Sequence, residues 1–167
     1  MKKIHIIGSV GSGKTTLARI FSKRMDIPCY ELDNVVWKRS STGDVRRSEQ
    51  ERDKHLGSII DSPTWIVEGV HYGWVGQSFR NADLIILLDP PFRRRTNRII
   101  KRFILQKLGL EKANYEPTFG ILRKMFAWNR NFEVENRAEI MELLKRYEDK
   151  LVIVKDNSHI EEFLALK

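Results

Sequence analysis

Eight consecutive residues near the start of the chain have the types and spacing needed to hold phosphates. They run Gly8-Ser9-Val10-Gly11-Ser12-Gly13-Lys14-Thr15 and match the pattern G-x-x-x-x-G-K-[ST] in full. Glycines let successive backbone N–H groups turn inward around an anion, Lys14 can reach the β- and γ-phosphates, and the Thr15 hydroxyl can ligate Mg²⁺. We therefore predict a P-loop that binds ATP with magnesium, formed by Gly8, Ser9, Gly11, Ser12, Gly13, Lys14, Thr15 and the adjacent Thr16.

Two carboxylates follow predicted strands and could join this loop. Asp33 comes just after the second predicted strand, and Glu68 ends the third. In a doubly wound sheet, such strand ends converge on the crevice beside the phosphate loop. We expect Glu68 and Thr15 to hold the metal, and Asp33 to hold magnesium-bound water or accept a proton from a substrate hydroxyl. An alternative for Asp33 is capping of the following helical turn, because aspartate is a favoured N-cap residue.

The chain is basic, with a net charge of +8 and a pI near 9.7, and part of that charge is clustered. Arg98 and Arg102 follow the fourth predicted strand and are four residues apart on one helix face, so we expect both to clamp the transferring phosphoryl group. For the preceding arginines at 93–95, a solvated helix face is an equal alternative. Further candidates for the phosphates lie later in the chain, at Arg123, Arg130 and Arg137.

The hydrophobic pattern predicts strands alternating with helices. Strands are expected at 3–8, 27–32, 65–68, 83–89 and 151–154, and helices from residue 13 and over 49–60, 93–110, 119–129 and 134–149. Capping boxes at Ser48/Glu51 and Ser158/Glu161 mark two helix starts, and 38–47 is predicted as an exposed loop. This order predicts one α/β domain over 1–167, a parallel sheet with helices on both faces, and a helical lid insertion at about 103–137.

Composition narrows the function classes. The single cysteine, Cys29, excludes an internal disulfide, and no apolar stretch approaches the ~20 residues of a membrane span, so we expect a cytoplasmic protein without membrane contact. The positive charge leaves two partners open, a phosphate-rich small ligand and nucleic acid. DNA stays an alternative partner, although the sequence contains no helix-turn-helix, zinc finger or similar DNA-reading motif.

Four segments together resemble a known family. They are GSVGSGKTTLA, LDNVVW, WIVEG and ADLIILLD, and in this order they resemble the adenylate-kinase-like P-loop kinases, most closely the bacterial DNA topology modulation proteins. The resemblance implies a P-loop NTPase of the nucleoside-monophosphate-kinase-like kind, with a five-stranded parallel sheet and a mobile lid. It also implies that Glu68 holds magnesium through water, that Arg98 covers the adenine and Arg102 touches the phosphates, and that backbone groups around Asn157 line the adenine pocket.

The chain departs from adenylate kinases where the acceptor is bound. Those enzymes have an arginine after the third strand that grips AMP, whereas this chain reads Glu68-Gly69-Val70-His71-Tyr72. His71 and Tyr72 are candidates for the acceptor pocket or an exposed turn, and Trp37 is a candidate platform for a base or sugar or a packing residue. We predict a kinase with a nucleotide or small-molecule acceptor. The alternatives are an ATP-dependent nucleic-acid-binding protein that affects DNA topology and an ATP sensor without turnover.

Overall fold

Seven strands lie in the part of the chain that the computed structural model describes, residues 1–40, 43–111 and 116–155. They are β1 (Lys3–Gly8), β2 (Cys29–Glu31), β3 (Trp37–Lys38), β4 (Val45–Arg46), β5 (Trp65–Gly69), β6 (Leu84–Leu88) and β7 (Leu151–Val154). Five of them form one parallel sheet in the order β2-β5-β1-β6-β7. The predicted five-stranded parallel sheet is confirmed. β1 is its central strand, and the loop that follows β1 therefore lies between the ends of β5 and β6.

Helices connect these strands and cover both faces of the sheet. They are α1 (Lys14–Met25), α2 (Leu32–Val36), α3 (Glu49–Ile60), α4 (Gly76–Asn81), α5 (Phe92–Lys107), α6 (Phe119–Asn131) and α7 (Arg137–Leu144). Leu17 and Phe21 of α1 pack on one face, and residues of α3, α4 and α7 pack on the other. The capping box is present, because Ser48 and Glu51 exchange both of its hydrogen bonds at the start of α3.

The structure corrects four predicted boundaries. Residues 38–47 contribute to an antiparallel hairpin, β3–β4, instead of a plain loop. The second strand is shorter than predicted because Leu32 already begins α2. The helix expected over 93–110 ends at Lys107. The helix expected over 134–149 is divided into a π-helical turn (Phe132–Asn136), α7 and a 3₁₀ segment (Lys145–Lys150).

The short helix α4 was not predicted from the sequence, and α2 was expected only as a helical turn that Asp33 would cap. They contain six and five residues, and helices of this length depend on tertiary packing more than on propensity. The predicted terminal helix with Ser158 and Glu161 lies outside the described residues. Within the ranges that the structure does describe, no helix combines the length and the apolar character needed to cross a membrane.

Candidate functional site

The predicted phosphate loop connects β1 to α1 and is packed tightly against two other elements. Gly11 and Gly13 have φ values of +71° and +99°, a conformation that residues with side chains rarely adopt. A Cβ atom on Gly8 would lie 2.5 Å from the carbonyl oxygen of Leu88, and one on Gly11 would lie 2.7 Å from that of Arg95. The glycines therefore allow both the turn of the loop and its close contact with β6 and α5.

Lys14 is folded into this loop. Its side chain is buried, and its Nζ donates a 2.8 Å hydrogen bond to the carbonyl oxygen of Ser9. Burial lowers the pKa of Lys14; the charges of Glu68 and Asp33 oppose that shift, and the charge of Arg102 adds to it. Glu68 and Asp33 lie at the carboxyl ends of β5 and β2, around the same crevice as the loop that follows β1.

Thr15 and Glu68 meet at the edge of this crevice. The Thr15 Oγ1 donates a 2.7 Å hydrogen bond to Glu68 Oε1, and Glu68 is 4% exposed at the carboxyl end of β5. Burial raises the pKa of Glu68, while Lys14 and the Thr15 hydrogen bond oppose the rise. A hydroxyl and a carboxylate are hard oxygen ligands of the kind that Mg²⁺ prefers.

The rest of a magnesium shell would come from the ligand and from water. No group of three or more His, Cys, Asp or Glu side chains able to hold a metal occurs among the described residues. Magnesium in phosphate sites is commonly held by one or two protein groups plus substrate phosphates. Ser12 is fully buried, and its Oγ has no hydrogen-bond partner in the described structure, so the loop retains a hydroxyl that a ligand oxygen can satisfy.

Asp33 lies across the crevice from the loop. Its side chain is 64% exposed, and its Oδ1 is 3.5 Å from Nε2 of His71. The hydrogen bond from His71 is the main cause of the lowered pKa of Asp33, to which Lys14 and Arg39 contribute by their charge. The capping alternative is wrong, because Glu31 occupies the N-cap position of α2 and Asp33 lies inside its first turn.

Arg98 and Arg102 differ in how they are placed on α5. Arg98 Nη1 donates a 2.6 Å hydrogen bond to the carbonyl oxygen of Ser12, which joins α5 to the phosphate loop. Arg102 Nε lies 3.5 Å from Oε1 of Glu111, which follows the end of α5. Thr16 is exposed in the first turn of α1, and Asn157 lies outside the described residues.

Arg95 has a structural role that the sequence analysis missed. It is fully buried, so a solvated position is wrong for this residue, whereas Arg93 and Arg94 are exposed. Its Nε donates a 2.7 Å hydrogen bond to Asn129 Oδ1, and its Nη2 contacts Glu133 in the π-helical turn. Arg95 therefore joins α5 to α6 and to the turn that follows it.

Asp89 supplies the charge that balances two arginines. Its carboxylate is buried just after β6, 3.6 Å from Arg95 Nη1 and 2.8 Å from Arg137 Nη2. Arg137 is therefore held at the start of α7, while Arg123 and Arg130 are exposed on α6. An aspartate directly after an apolar strand was the available signal, because a buried carboxylate requires cationic partners.

Two known proteins are similar to this chain in sequence. The chain is 29% identical over 143 residues to an uncharacterized Bacillus subtilis protein, YqaC, covering 82% of this chain and 79% of that protein. It is 32% identical over 119 residues to a cytidylate kinase of Methanothermobacter thermautotrophicus, covering 59% of this chain and 67% of that enzyme. No family model matches the sequence.

A solved structure is similar to this chain in fold. A solved shikimate kinase from Acinetobacter baumannii, in complex with shikimate, superposes with a TM-score of 0.54 at 14% identity, covering 99% of this chain and 89% of that one. This likeness identifies the fold as that of a P-loop kinase. Because the chain also spans two thirds of a cytidylate kinase at 32% identity, it belongs to the nucleoside-monophosphate-kinase-like family of P-loop kinases.

Proposed function

We propose that this protein is a phosphotransferase that moves the γ-phosphoryl group of ATP to a nucleotide or a small-molecule acceptor. The observation that carries the proposal is the 2.7 Å hydrogen bond between Thr15 and Glu68, beside the buried ammonium group of Lys14. A phosphate-binding loop alone indicates nucleotide binding. A metal-binding pair next to it, with a further carboxylate across the crevice, supports transfer as well.

On the donor side, the loop residues bind the ATP phosphates. Lys14 exchanges its contact with the Ser9 carbonyl for the β- and γ-phosphates, and the loop N–H groups surround them. Arg98 and Arg102 add positive charge from α5, with Arg98 already held at the Ser12 carbonyl. Thr15 and Glu68 would hold Mg²⁺, which, when bound, neutralises charge that develops on the phosphate oxygens.

On the acceptor side, Asp33 acts as the proton acceptor for a hydroxyl. The hydroxyl oxygen forms a bond to the γ-phosphorus while the bond from that phosphorus to the bridging oxygen breaks, and ADP leaves. The hydroxyl proton passes to the Asp33 carboxylate and from there to water. His71, 3.5 Å from Asp33, orients the carboxylate, and the lowered pKa of Asp33 keeps it ionised before transfer.

ADP formation by the purified protein tests the proposal. MgATP is supplied with a panel of nucleotides and small alcohols, and the same panel is run with Lys14→Ala, since this lysine is a point charge on phosphate. We expect ADP formation that depends on the acceptor and is lost in the variant. A flat response across a broad panel would contradict the proposal, and tight ATP binding with that flat response would favour an ATP sensor.

The resemblance to DNA topology modulation proteins raises a different function, ATP-dependent DNA binding. Three basic residues near the site do not support it. Arg95 is buried, Arg98 contacts the phosphate loop, and Arg137 pairs with Asp89, so these three do not extend the exposed charge of α5 and α6 into an outward stripe. Duplex DNA titrated at low ionic strength is the control, and binding that weakens steeply with salt would restore this function.

A further inference from the structure

The hairpin β3–β4 extends from the end of α2 on the side of the crevice where Asp33 lies. The N–H group of Trp37 donates to the carbonyl oxygen of Asp33. Arg47 binds the same helix end, with its N–H 2.9 Å from the Val36 carbonyl oxygen and its Nη1 2.8 Å from that of Asn34. These bonds satisfy carbonyl groups that a helix end leaves open, so they fix the base of the hairpin relative to Asp33.

The hairpin carries four basic residues, and two of them are used internally. Arg47 caps α2, as described, and Arg39 contacts Asp44 and Asn34 across the base of the turn. Arg46 is exposed, and no carboxylate within the described ranges lies at ion-pair distance from it. Lys38, the fourth, pairs with Val45 in the ladder and therefore lies on the opposite face from Arg46.

Trp37 and Arg46 form one surface. They are directly opposite in the ladder, with the guanidinium carbon of Arg46 6.0 Å from the centroid of the Trp37 ring. Trp37 is 37% exposed, in contrast to the fully buried Trp65 of the core, so part of its surface is open to a ligand. A partly exposed indole beside a guanidinium that pairs with no carboxylate of the described residues offers a flat apolar contact and a bidentate site for an anion.

This surface is adjacent to Asp33. Trp37 directly follows α2 in an extended conformation, and the bond from its N–H to the Asp33 carbonyl oxygen holds it one helical turn from Asp33. The charge of Arg39, the residue after Lys38, contributes to the lowered pKa of Asp33, after the hydrogen bond from His71. A ligand that contacts Asp33 can therefore extend over the hairpin.

Neither the turn after β5 nor Arg52 supplies a free cation on the acceptor side. The stretch between β5 and α4 contains no arginine. Arg52 lies over the ring of Trp74, 4.4 Å from its centroid, and is bonded to Asp53. The ionised Asp33 would repel an acceptor that attacks through a phosphate oxygen, whereas it can take the proton of a hydroxyl.

We propose that Trp37 and Arg46 recognise the acceptor, and that the acceptor is a hydroxyl compound that also carries an anionic group, a carboxylate or a phosphate. The hydroxyl lies at Asp33, the carbon skeleton lies on the Trp37 ring, and the anionic group binds Arg46. This inference rests on the proposed function, which it extends to a substrate class and to two specificity-determining residues.

Matched acceptor pairs test the substrate class. D-gluconate is compared with D-glucitol, which lacks the carboxylate, and D-ribose 5-phosphate with D-ribose, which lacks the phosphate; CMP serves as a phosphate acceptor. In MgATP turnover by the full chain, the anionic member of at least one pair is expected to have a kcat/KM about tenfold higher or more, the effect of one charge-assisted bidentate contact. The pair that responds identifies the anionic group.

Variants then assign the preference to the hairpin. Arg46→Gln should raise the KM for the anionic acceptor about tenfold and remove the preference over its neutral partner, while the KM for ATP stays unchanged. Trp37→Ala should raise the KM for both the anionic and the neutral acceptor of a pair, and Trp37→Phe should raise these KM values less. Lys38→Gln removes an equal charge from the opposite face of the same hairpin and should leave all KM values unchanged.

The outcomes separate the two proposals. The inference would be overturned if neither pair shows a preference for the anionic acceptor, or if Arg46→Gln and Lys38→Gln change the KM for that acceptor equally. Either result leaves the kinase proposal intact. Phosphorylation of CMP alone would overturn the hydroxyl class in the same way. Absence of acceptor-dependent turnover with every compound would overturn both. Loss of the anionic preference in Arg46→Gln, with full activity in Lys38→Gln, is the result that we expect.

Discussion

The hydroxyl group of Thr15 donates a 2.7 Å hydrogen bond to the carboxylate of Glu68, 53 positions further along the chain. The two residues meet because β5 pairs with β1 in parallel, so that the end of β5 lies beside the loop that follows β1. This contact brings together the two protein ligands that we propose for magnesium. The contact also gives the buried carboxylate of Glu68 a hydrogen-bond partner, which a charged group needs when it is almost without exposure to solvent.

Replacing Glu68 with glutamine should lower turnover by about 10- to 100-fold, the range typical for groups that orient a bound metal. ATP affinity should change less, because the loop N–H groups and Lys14 remain. Initial rates at varied Mg²⁺ measure the first effect, and calorimetric ATP binding measures the second. Glu31→Gln is the matched control, since Glu31 pairs with Glu68 in the sheet but bonds to the exposed Arg19. Equal losses in both variants would contradict a metal-binding role for Glu68.

Asp33→Asn should lower kcat by about 10²- to 10⁴-fold if Asp33 receives the proton of the acceptor. His71→Gln should have a smaller effect on kcat at neutral pH. It should move the acidic limb of the kcat/KM profile to higher pH, because the hydrogen bond from His71 is the main cause of the lowered pKa of Asp33. Turnover measured against pH tests both expectations. An unshifted limb in His71→Gln would show that His71 does not act through Asp33.

Asp89→Asn should destabilise the fold by about 3–5 kcal/mol, the usual cost of breaking a buried ion pair. It leaves the buried Arg95 and the bound Arg137 without their shared carboxylate. Urea-induced unfolding measures the change in the free energy of unfolding. Asp44→Asn removes the partner of Arg39 in a pair that is about one third exposed and should cost ~1 kcal/mol or less. Similar values for the two variants would mean that Asp89 does not hold α5 and α7 together.

His5 should make the fold less stable as the pH falls below 6.5. It is fully buried on β1, hydrogen-bonded to Ser78, and burial lowers its pKa from 6.5 to about 3. Below pH 6.5 His5 therefore binds a proton in the unfolded chain but stays neutral in the folded chain. The free energy of unfolding decreases with falling pH as a result. The slope from this residue approaches about 1.4 kcal/mol per pH unit.

Unfolding between pH 6.5 and 5 in the wild type and His5→Gln tests this effect. The variant should show a shallower dependence on pH in that range. His55→Gln is the control, because the pKa of His55 is also lowered by burial, but its side chain on α3 is only partly buried. If the dependence of the free energy of unfolding on pH is unchanged in His5→Gln and reduced in His55→Gln, then His55 causes the effect and the prediction for His5 is wrong.

Much of the fold could be predicted because its signals are local. The glycine spacing at 8–13, the capping box at Ser48 and the apolar run of β6 each determine the conformation of their own segment, and all three agree with the structure. The parallel sheet follows from the alternation of such segments. The lid over 103–137 stays a prediction, as does the role of Asn157.

Other features depended on strand order and on packing between distant segments. The sequence determined by itself that a phosphate loop would follow β1, because backbone conformation responds to neighbouring residues. Only the tertiary structure decided that Glu68 would meet Thr15, that Arg95 would be buried against Asp89, and that Trp37 would lie exposed beside Arg46. Side chains of one type have different roles according to what surrounds them, and those surroundings come from elements that are far apart in the chain.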